Sequence, residues 1–180
     1  MKAYSMEYID IVDKSGRPTG EIESREVVHK KGLLHRHIHA WIINSENEVL
    51  LQKRAASKKT YPNMWAMSAE GHVSSRKTLK ETVVEEIQEE LNIKINKNDL
   101  SVTFSYPRGR IEFQDGWIEN GINTVYIIYN DTSIEDIKIQ ASEVADVKWM
   151  KLEDYKNVIY EKNPEYRTYP EEFPKLFETI

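Results

Sequence analysis

Glu86, Glu89 and Glu90 lie within a single turn and a half of chain in the stretch GHVSSRKTLKETVVEEIQEELNI, residues 71–93. On a helix, spacings of three and four stack side chains one above another, so these carboxylates share a face, and Glu85 with Glu89 adds another like-charged pair. Like charges so placed repel, and the pattern calls for a cation. Hard divalent ions prefer oxygen ligands, and Mg²⁺ or Mn²⁺ binds through a few carboxylates together with substrate phosphates. The chemistry on offer is therefore metal-assisted phosphate chemistry. A solvated acidic helix face gives the same pattern and is the commoner cause of an isolated acidic run.

A second group lies upstream. His29, His35, His37 and His39 are four of the five histidines, and imidazole suits Zn, Fe and Ni. His35, His37 and His39 alternate along what reads as a strand into Trp41, Ile42 and Ile43, so all three point to one side. A polar sheet face or pocket wall accounts for them more simply than a metal site. Two arginines complete the set: Arg54, closing a strand at 49–54, and Arg108, in a basic loop at 107–110. Either reaches a phosphate or stays solvated. Lys53 and Arg54 alternate to opposite faces, so at most one serves a site.

These residues need elements to hold them. Thr78 followed by Glu81 is a capping box, which predicts a helix over 79–91 with Asn92 in the left-handed closing position. Leu79, Val83, Ile87 and Leu91 form its apolar stripe. Strands are predicted over 8–12, 35–43, 49–54, 65–70, 101–106, 122–129 and 144–150, with a hairpin connection at 45–48. Ser24 caps a short helix through His29, and another helix covers 154–160. The aromatic, proline-bearing tail from Asn163 reads as packing on the domain surface or on a partner subunit rather than as a substrate lid. Strands on both sides of a helix imply an α/β fold, a mixed sheet between helical layers.

Composition narrows the rest. A chain of 180 residues fits one domain spanning 1–180, with a core at about 8–155 and a C-terminal extension over 156–180. A net charge of −5 without a basic stripe argues against polymeric nucleic acid as partner. The absence of cysteine excludes disulfides, a thiolate zinc site and a cysteine nucleophile. There is no apolar run of membrane-spanning length, and MKAYSMEY lacks the apolar segment of a secretory signal, so the expectation is a cytoplasmic protein without a membrane partner.

The stretch 71–93 resembles the Nudix box, Gly-x5-Glu-x7-Arg-Glu-U-x-Glu-Glu-x-Gly-U with U aliphatic. Gly71, Glu86, Ile87, Glu89, Glu90 and Ile93 stand where the pattern wants them; Lys77, Glu85 and Asn92 replace its first glutamate, its arginine and its second glycine. If the family's Glu and Arg positions face one another, Lys77 and Glu85 keep the ion pair with its sign reversed. The order LLHRHIHAWII, LLQKRA, YPNMW, AMSAEGH and then the box resembles the Nudix branch related to type I isopentenyl diphosphate isomerase. His29, His35 and His72 resemble that isomerase's metal histidines. The isomerase's cysteine before Gly-His is Glu70 here, and its Glu-x-Glu segment is Glu119-Asn120-Gly121, which counts against isomerisation.

The resemblance implies an α/β/α sandwich with a mixed sheet, and hydrolysis of a small-molecule diphosphate linkage with Mg²⁺ or Mn²⁺. Glu86, Glu89 and Glu90 would hold metal. Glu89 and Glu119 would be catalytic, with Glu143 the second candidate for the base outside the box. Arg54, Arg108 and His72 would bind substrate. A catalytically weakened ligand-binding protein is the alternative, and many relatives are homodimers.

Overall fold

Asp13 folds the first hairpin: its Oδ1 accepts from the backbone N–H groups of Ser15 and Arg17 at 2.8 and 3.0 Å, turning β1 (Tyr8–Val12) into β2 (Pro18–Ser24). The computed structural model describes residues 7–180; the reading of the first six residues as lacking a signal segment lies outside them. Ser24 caps α1 (Arg25–Lys31), accepting from the Val27 N–H. The helix runs past the expected end at His29 to Gly32, whose φ of 65° closes it. There follow β3 (His35–Ile43), β4 (Glu48–Arg54), β5 (Trp65–Ala66), β6 (Ala69–His72) and α2 (Leu79–Leu91). The chain ends with β7 (Phe104–Glu112), β8 (Ile118–Tyr129), β9 (Val144–Lys151), α3 (Leu152–Tyr160) and α4 (Phe173–Thr179).

The main sheet runs β5-β4-β3-β8-β7, with β6 paired to β3 and β9 to β4. β3 and β8 are parallel from His35↔Gly121 to Ile43↔Tyr129, and the other pairings are antiparallel, so the sheet is mixed. The turn at 45–48 does not make a hairpin ladder: β3 and β4 are in register only at Ile43↔Val49. Ser68 is the physical reason. Its hydroxyl accepts from Ile42 N–H at 2.8 Å and donates to Leu50 O at 2.7 Å, bridging the two strands in place of a ladder. The same insertion breaks the strand expected over 65–70 into β5 and β6.

Both faces of this sheet are buried. Trp41, Ile43, Val49 and Leu51 pack with Tyr155 and Ile159 of α3 and with Tyr166, Tyr169, Phe173 and Leu176. Ile38, Ala40, Ile42 and Leu50 pack on the opposite face with Val83, Ile87 and Leu91 of α2. The result is the expected α/β/α sandwich. Those three helix residues are fully buried, and at roughly 1.5–3 kcal/mol apiece they hold α2 to the sheet. α2 spans the predicted residues, with the capping box formed and Asn92 left-handed at φ 58°.

Three expectations need correction. The C-terminal tail is a constituent of one core layer rather than dressing on the surface. The basic loop at 107–110 is part of β7, which starts at Phe104 rather than Ser101. Glu119 lies inside β8 rather than before it, because β8 starts four residues earlier than its apolar run. Among the described residues, no helix is long and apolar enough to cross a membrane.

Candidate active site

A cleft of about 1050 Å³ opens over the polar face of β3 and β6. Its size suits a nucleotide-sized molecule. Alternation puts His35, His37 and His39 of β3 on this face, His37 and His39 line the cleft with His35 buried beside them, and Glu70 and His72 of β6 join them across the register pairs His39↔Glu70 and His37↔His72. Gly121 makes room on the neighbouring strand, since a Cβ there would lie 2.6 Å from His37 Nδ1. α1 supplies His29 and β8 supplies Glu119, and the ligand atoms of His29, His35, His72 and Glu119 lie within 4.8 Å of one another.

Hydrogen bonding fixes the protons of this group. A main-chain carbonyl only accepts, so His29 Nδ1–H donates to Ile118 O at 3.0 Å and His35 Nδ1–H to Leu33 O at 2.8 Å. Tyr106 O–H donates to Glu172 at 2.6 Å, so its oxygen accepts from Asn123 Nδ2 at 2.9 Å. That leaves Asn123 Oδ1 to accept from His37 Nδ1–H at 3.2 Å. Three imidazoles therefore present bare Nε2 lone pairs. Those of His35 and His37 are 2.7 Å apart, and His29 Nε2 is 2.9 Å from His72 Nε2. Facing lone pairs repel unless a cation is shared between them, and burial makes an extra proton unfavourable. Desolvation lowers His29, holds His37 and His72 well below the ordinary imidazole range, and takes His35 to about 4. Neutral imidazoles with Nδ1–H anchored to carbonyls are in the state a metal ion requires.

The box carboxylates lie on the other side of β6. Glu86 packs under Gly71, where a Cβ would fall 2.4 Å from the Glu86 carboxyl carbon, so a larger residue there would displace that carboxylate. Glu90 is buried and accepts from Gln52 Nε2 at 3.0 Å. Glu89 is exposed and lines the cleft. Burial is the main cause that pushes Glu90 up to about 8 and Glu86 well above the carboxylate range, with Glu90 and Glu89 adding repulsion at Glu86. Without metal, Glu90 is mostly protonated at neutral pH, and Glu86 is shifted in the same direction. Lys77 and Glu85 form the sign-reversed ion pair at the helix start, which raises the Lys77 pKa.

The remaining wall is dense with charge. Arg54 donates through Nε and Nη2 to Thr60 O, each at 3.1 Å, and through Nη1 to Glu70, whose same oxygen also takes Arg167 Nη1. Burial opposes ionisation of Glu70, but the two guanidiniums outweigh it and hold its carboxyl well below the usual range. Lys58 pairs with Glu143, and Lys59 sits 3.8 Å over Trp117, which stacks on His29 at 4.0 Å. His39 donates Nδ1–H to the buried Glu172 at 2.6 Å, while its Nε2 faces Glu70 at 3.9 Å.

Of the expected site residues, Arg54, His72, Glu89, Arg108 and Glu119 all line this one cleft, and Glu143 is at its edge tied to Lys58. Glu86 and Glu90 do not line it. Glu119 accepts from Trp117 Nε1 at 3.1 Å and belongs to the histidine group, which gives it a ligand's surroundings as well as a base's. Lys53 turns away and lies 5.8 Å over Trp65, as alternation requires. Sequence reasoning missed Arg167, Glu172 and Asn123. No local signal marks them, since each acts only through strands distant in the chain.

The α/β/α layer fold is shared with solved structures. DR0079 of Deinococcus radiodurans matches with a TM-score of 0.64 at 23% identity, over 86% of this chain and 90% of that one. The NUDIX domain family model matches residues 33–173, and the chain belongs to that family. Nudix hydrolase 3 of Arabidopsis thaliana is 32% identical over 179 residues, 97% of this chain, although the chain spans 23% of that protein's length. An isopentenyl-diphosphate Delta-isomerase of Salmonella arizonae is 26% identical over 148 residues, 82% of this chain and 79% of that protein. The chain thus falls in the part of the superfamily that includes proteins named for that isomerase.

Proposed function

We propose that this Nudix-type hydrolase cleaves a diphosphate linkage in a small molecule, a nucleoside diphosphate derivative or a prenyl-type diphosphate, with a divalent cation. The observation that carries the reading is the set of bare imidazole lone pairs converging with Glu119, a group that opens through His72 and Glu119 onto a cleft walled by arginines and lysines. His29, His35, His72 and Glu119 would hold one cation, an imidazole-rich set that suits Mn²⁺ better than Mg²⁺. Glu86, Glu89 and Glu90 would form an all-oxygen set suited to either ion once the raised carboxyls lose their protons, although among the described residues it is His29, His35, His72 and Glu119 whose ligand atoms are drawn together. A bound divalent cation supplies charge for phosphate oxygens and lowers the pKa of water.

The chain's own residues do the rest. Arg54 and Arg108 hold and orient phosphate oxygens, and charge-assisted bonds of this kind are about twice as strong as neutral ones. His72 lines the same cleft and would add a polar contact. Glu89, open at the cleft mouth, takes the proton of an attacking water; Glu119 is the alternative acceptor where its oxygen is free. The histidine group and the isomerase-named relatives favour a second reading, isomerisation of an allylic diphosphate. Against it, the chain has no cysteine, and Glu70 at the corresponding position is tied by two guanidiniums.

A panel of nucleotide and prenyl diphosphates with Mg²⁺ or Mn²⁺, scored for phosphate release and for double-bond isomerisation, separates the readings. The expected result is metal-dependent release that falls at least about a hundredfold in Glu89→Gln and Glu90→Gln. Isomerised product without release would refute hydrolysis. Metal-dependent binding without any turnover would establish a ligand-binding protein instead.

A further inference from the structure

The C-terminal segment brings an arginine into the cleft that the mechanism above leaves unused. Trp65 N–H donates to Glu165 O and Arg167 N–H to Trp65 O, each at 2.8 Å, so residues 165–167 run as an added strand on β5. A few residues on, Glu172 is fastened by His39, Trp41 and Tyr106. With both flanks fixed, Arg167 is set into the cleft wall at 3% exposure. Its guanidinium lies between the Tyr61 and Tyr169 rings, 4.4 and 4.8 Å from their centroids. Tyr61 keeps its place at φ 51°, a left-handed conformation unfavourable for an L residue. Nη1 of Arg167 goes to Glu70, while Nε and Nη2 have no protein partner among the described residues.

Arg108 is the second group. The β7–β8 register passes from Pro107↔Ile122 to Gly109↔Gly121, which makes Arg108 the extra residue of a bulge and re-aims its side chain into the cleft. It makes no hydrogen bond or ion pair among the described residues, whereas Arg110 on the same strand pairs with Glu112. Arg54, Arg108 and Arg167 against Glu70 give this end of the wall three positive charges and one negative, a surplus of two. Glu70 and His72 are two residues apart on one face of β6, about 7 Å at the usual strand rise. A single phosphoryl group held at the histidine group does not reach this end.

We propose that Arg108 and Arg167 form a phosphate-binding subsite at the Glu70 end of the cleft, for an anionic group of the substrate other than the one held beside the histidines. The identity of the substrate rests on the diphosphate-hydrolase reading; the subsite itself belongs to the metal-free cleft. An entering phosphate takes the outward edge of Arg167 and the open fork of Arg108, while Glu70 retains Arg167 Nη1 and keeps the guanidinium oriented. A substrate using both ends carries anionic groups separated along its length.

Calorimetry with inorganic tripolyphosphate in metal-free buffer tests this. The wild type should bind, Arg108→Met and Arg167→Met should each weaken binding at least about tenfold, and Lys14→Met, which removes an exposed charge outside the cleft, should stay within about twofold. Arg108 has no partner to lose, so Arg108→Met keeps the test decisive even where Arg167→Met fails to fold. Wild-type affinity in Arg108→Met, equal weakening in Lys14→Met, or no binding by the wild type would overturn the subsite. Lost tripolyphosphate binding in the arginine variants, with no diphosphate turned over by the metal-loaded wild type, would support the subsite and sink the hydrolase reading. Turnover with an unchanged KM in both arginine variants would do the reverse.

Discussion

Glu172 is where one atom change should cost most. It is fully buried, and its carboxylate accepts from His39 Nδ1 at 2.6 Å, Tyr106 O–H at 2.6 Å and Trp41 Nε1 at 2.5 Å. Burial alone would raise its pKa; the nearby His39 and the three donors outweigh burial and lower it. Glu172→Ala leaves three buried donors unpaired at about 1–3 kcal/mol each, and a total of about 3–9 kcal/mol is a large share of the about 5–15 kcal/mol of a typical domain. At about 3 °C per kcal/mol for a chain of this size, the melting temperature should fall by about 9–27 °C. Glu172→Gln keeps one acceptor oxygen and sets its NH₂ against a donor, so about 2–3 kcal/mol is expected. Urea unfolding at pH 7 measures both. The depressed carboxyl contributes stability that is complete above its unfolded pKa of about 4.5 and is lost as pH falls through its lower folded value. The gap between wild type and Glu172→Gln should therefore narrow below about pH 4.5. A loss under about 1 kcal/mol in Glu172→Ala would refute the reasoning, because it would mean that water already reaches those donors.

Three further outcomes are expected. Lys77→Glu should lower stability by less than about 1 kcal/mol, the scale of an exposed pair, with recovery in the Lys77→Glu, Glu85→Arg double variant; additive losses in thermal melts would show that the two side chains act independently. The buried imidazoles are depressed, so their contribution is complete above about pH 6.5 and drains away as pH falls toward about 4; metal-free protein should lose melting temperature across that window, and saturating Mn²⁺ at a hundred times its dissociation constant should restore about 2.7 kcal/mol, an effect that His72→Asn removes. Glu90 is raised, so its favourable contribution is complete below about pH 4.5 and lost as pH rises through about 8; Glu90→Gln should stabilise the metal-free protein at pH 8 and not at pH 4, and the opposite order in melts at the two pH values would contradict a protonated Glu90.

The parts legible in the sequence are those written in local signals. α2 is set by Thr78, Glu81 and a four-residue apolar repeat, all within its own length, and it forms at the predicted residues. The period of two along His35, His37 and His39 likewise survives folding, because a strand's alternation is independent of its partners. What those histidines converge on is a different matter. His29 comes from α1, His72 from β6 and Glu119 from β8, so only the β3–β6 and β3–β8 registers and the packing of α1 bring them together. The Arg108 bulge depends on how β7 meets β8, and the Ser68 bridge on a gap between β3 and β4 that neither strand encodes alone. The C-terminal segment was the hardest to read: its prolines and aromatics suit a surface tail as well as a core layer. Its role emerges from Glu172, whose partners lie 66 to 133 positions away.

The Ser68 bridge has a mechanical corollary. β3 with β6, β8 and β7 forms one plate carrying the histidines; β4 with β9 and β5 forms another carrying Arg54, and along the seam one register pair, the Asn44–Glu48 turn, one serine hydroxyl and the Arg54–Glu70 ion pair stand in for a ladder. The gape between the imidazoles and Arg54 is therefore fixed less by strand pairing than by α2 on one face and the C-terminal layer on the other, each of which packs across both plates.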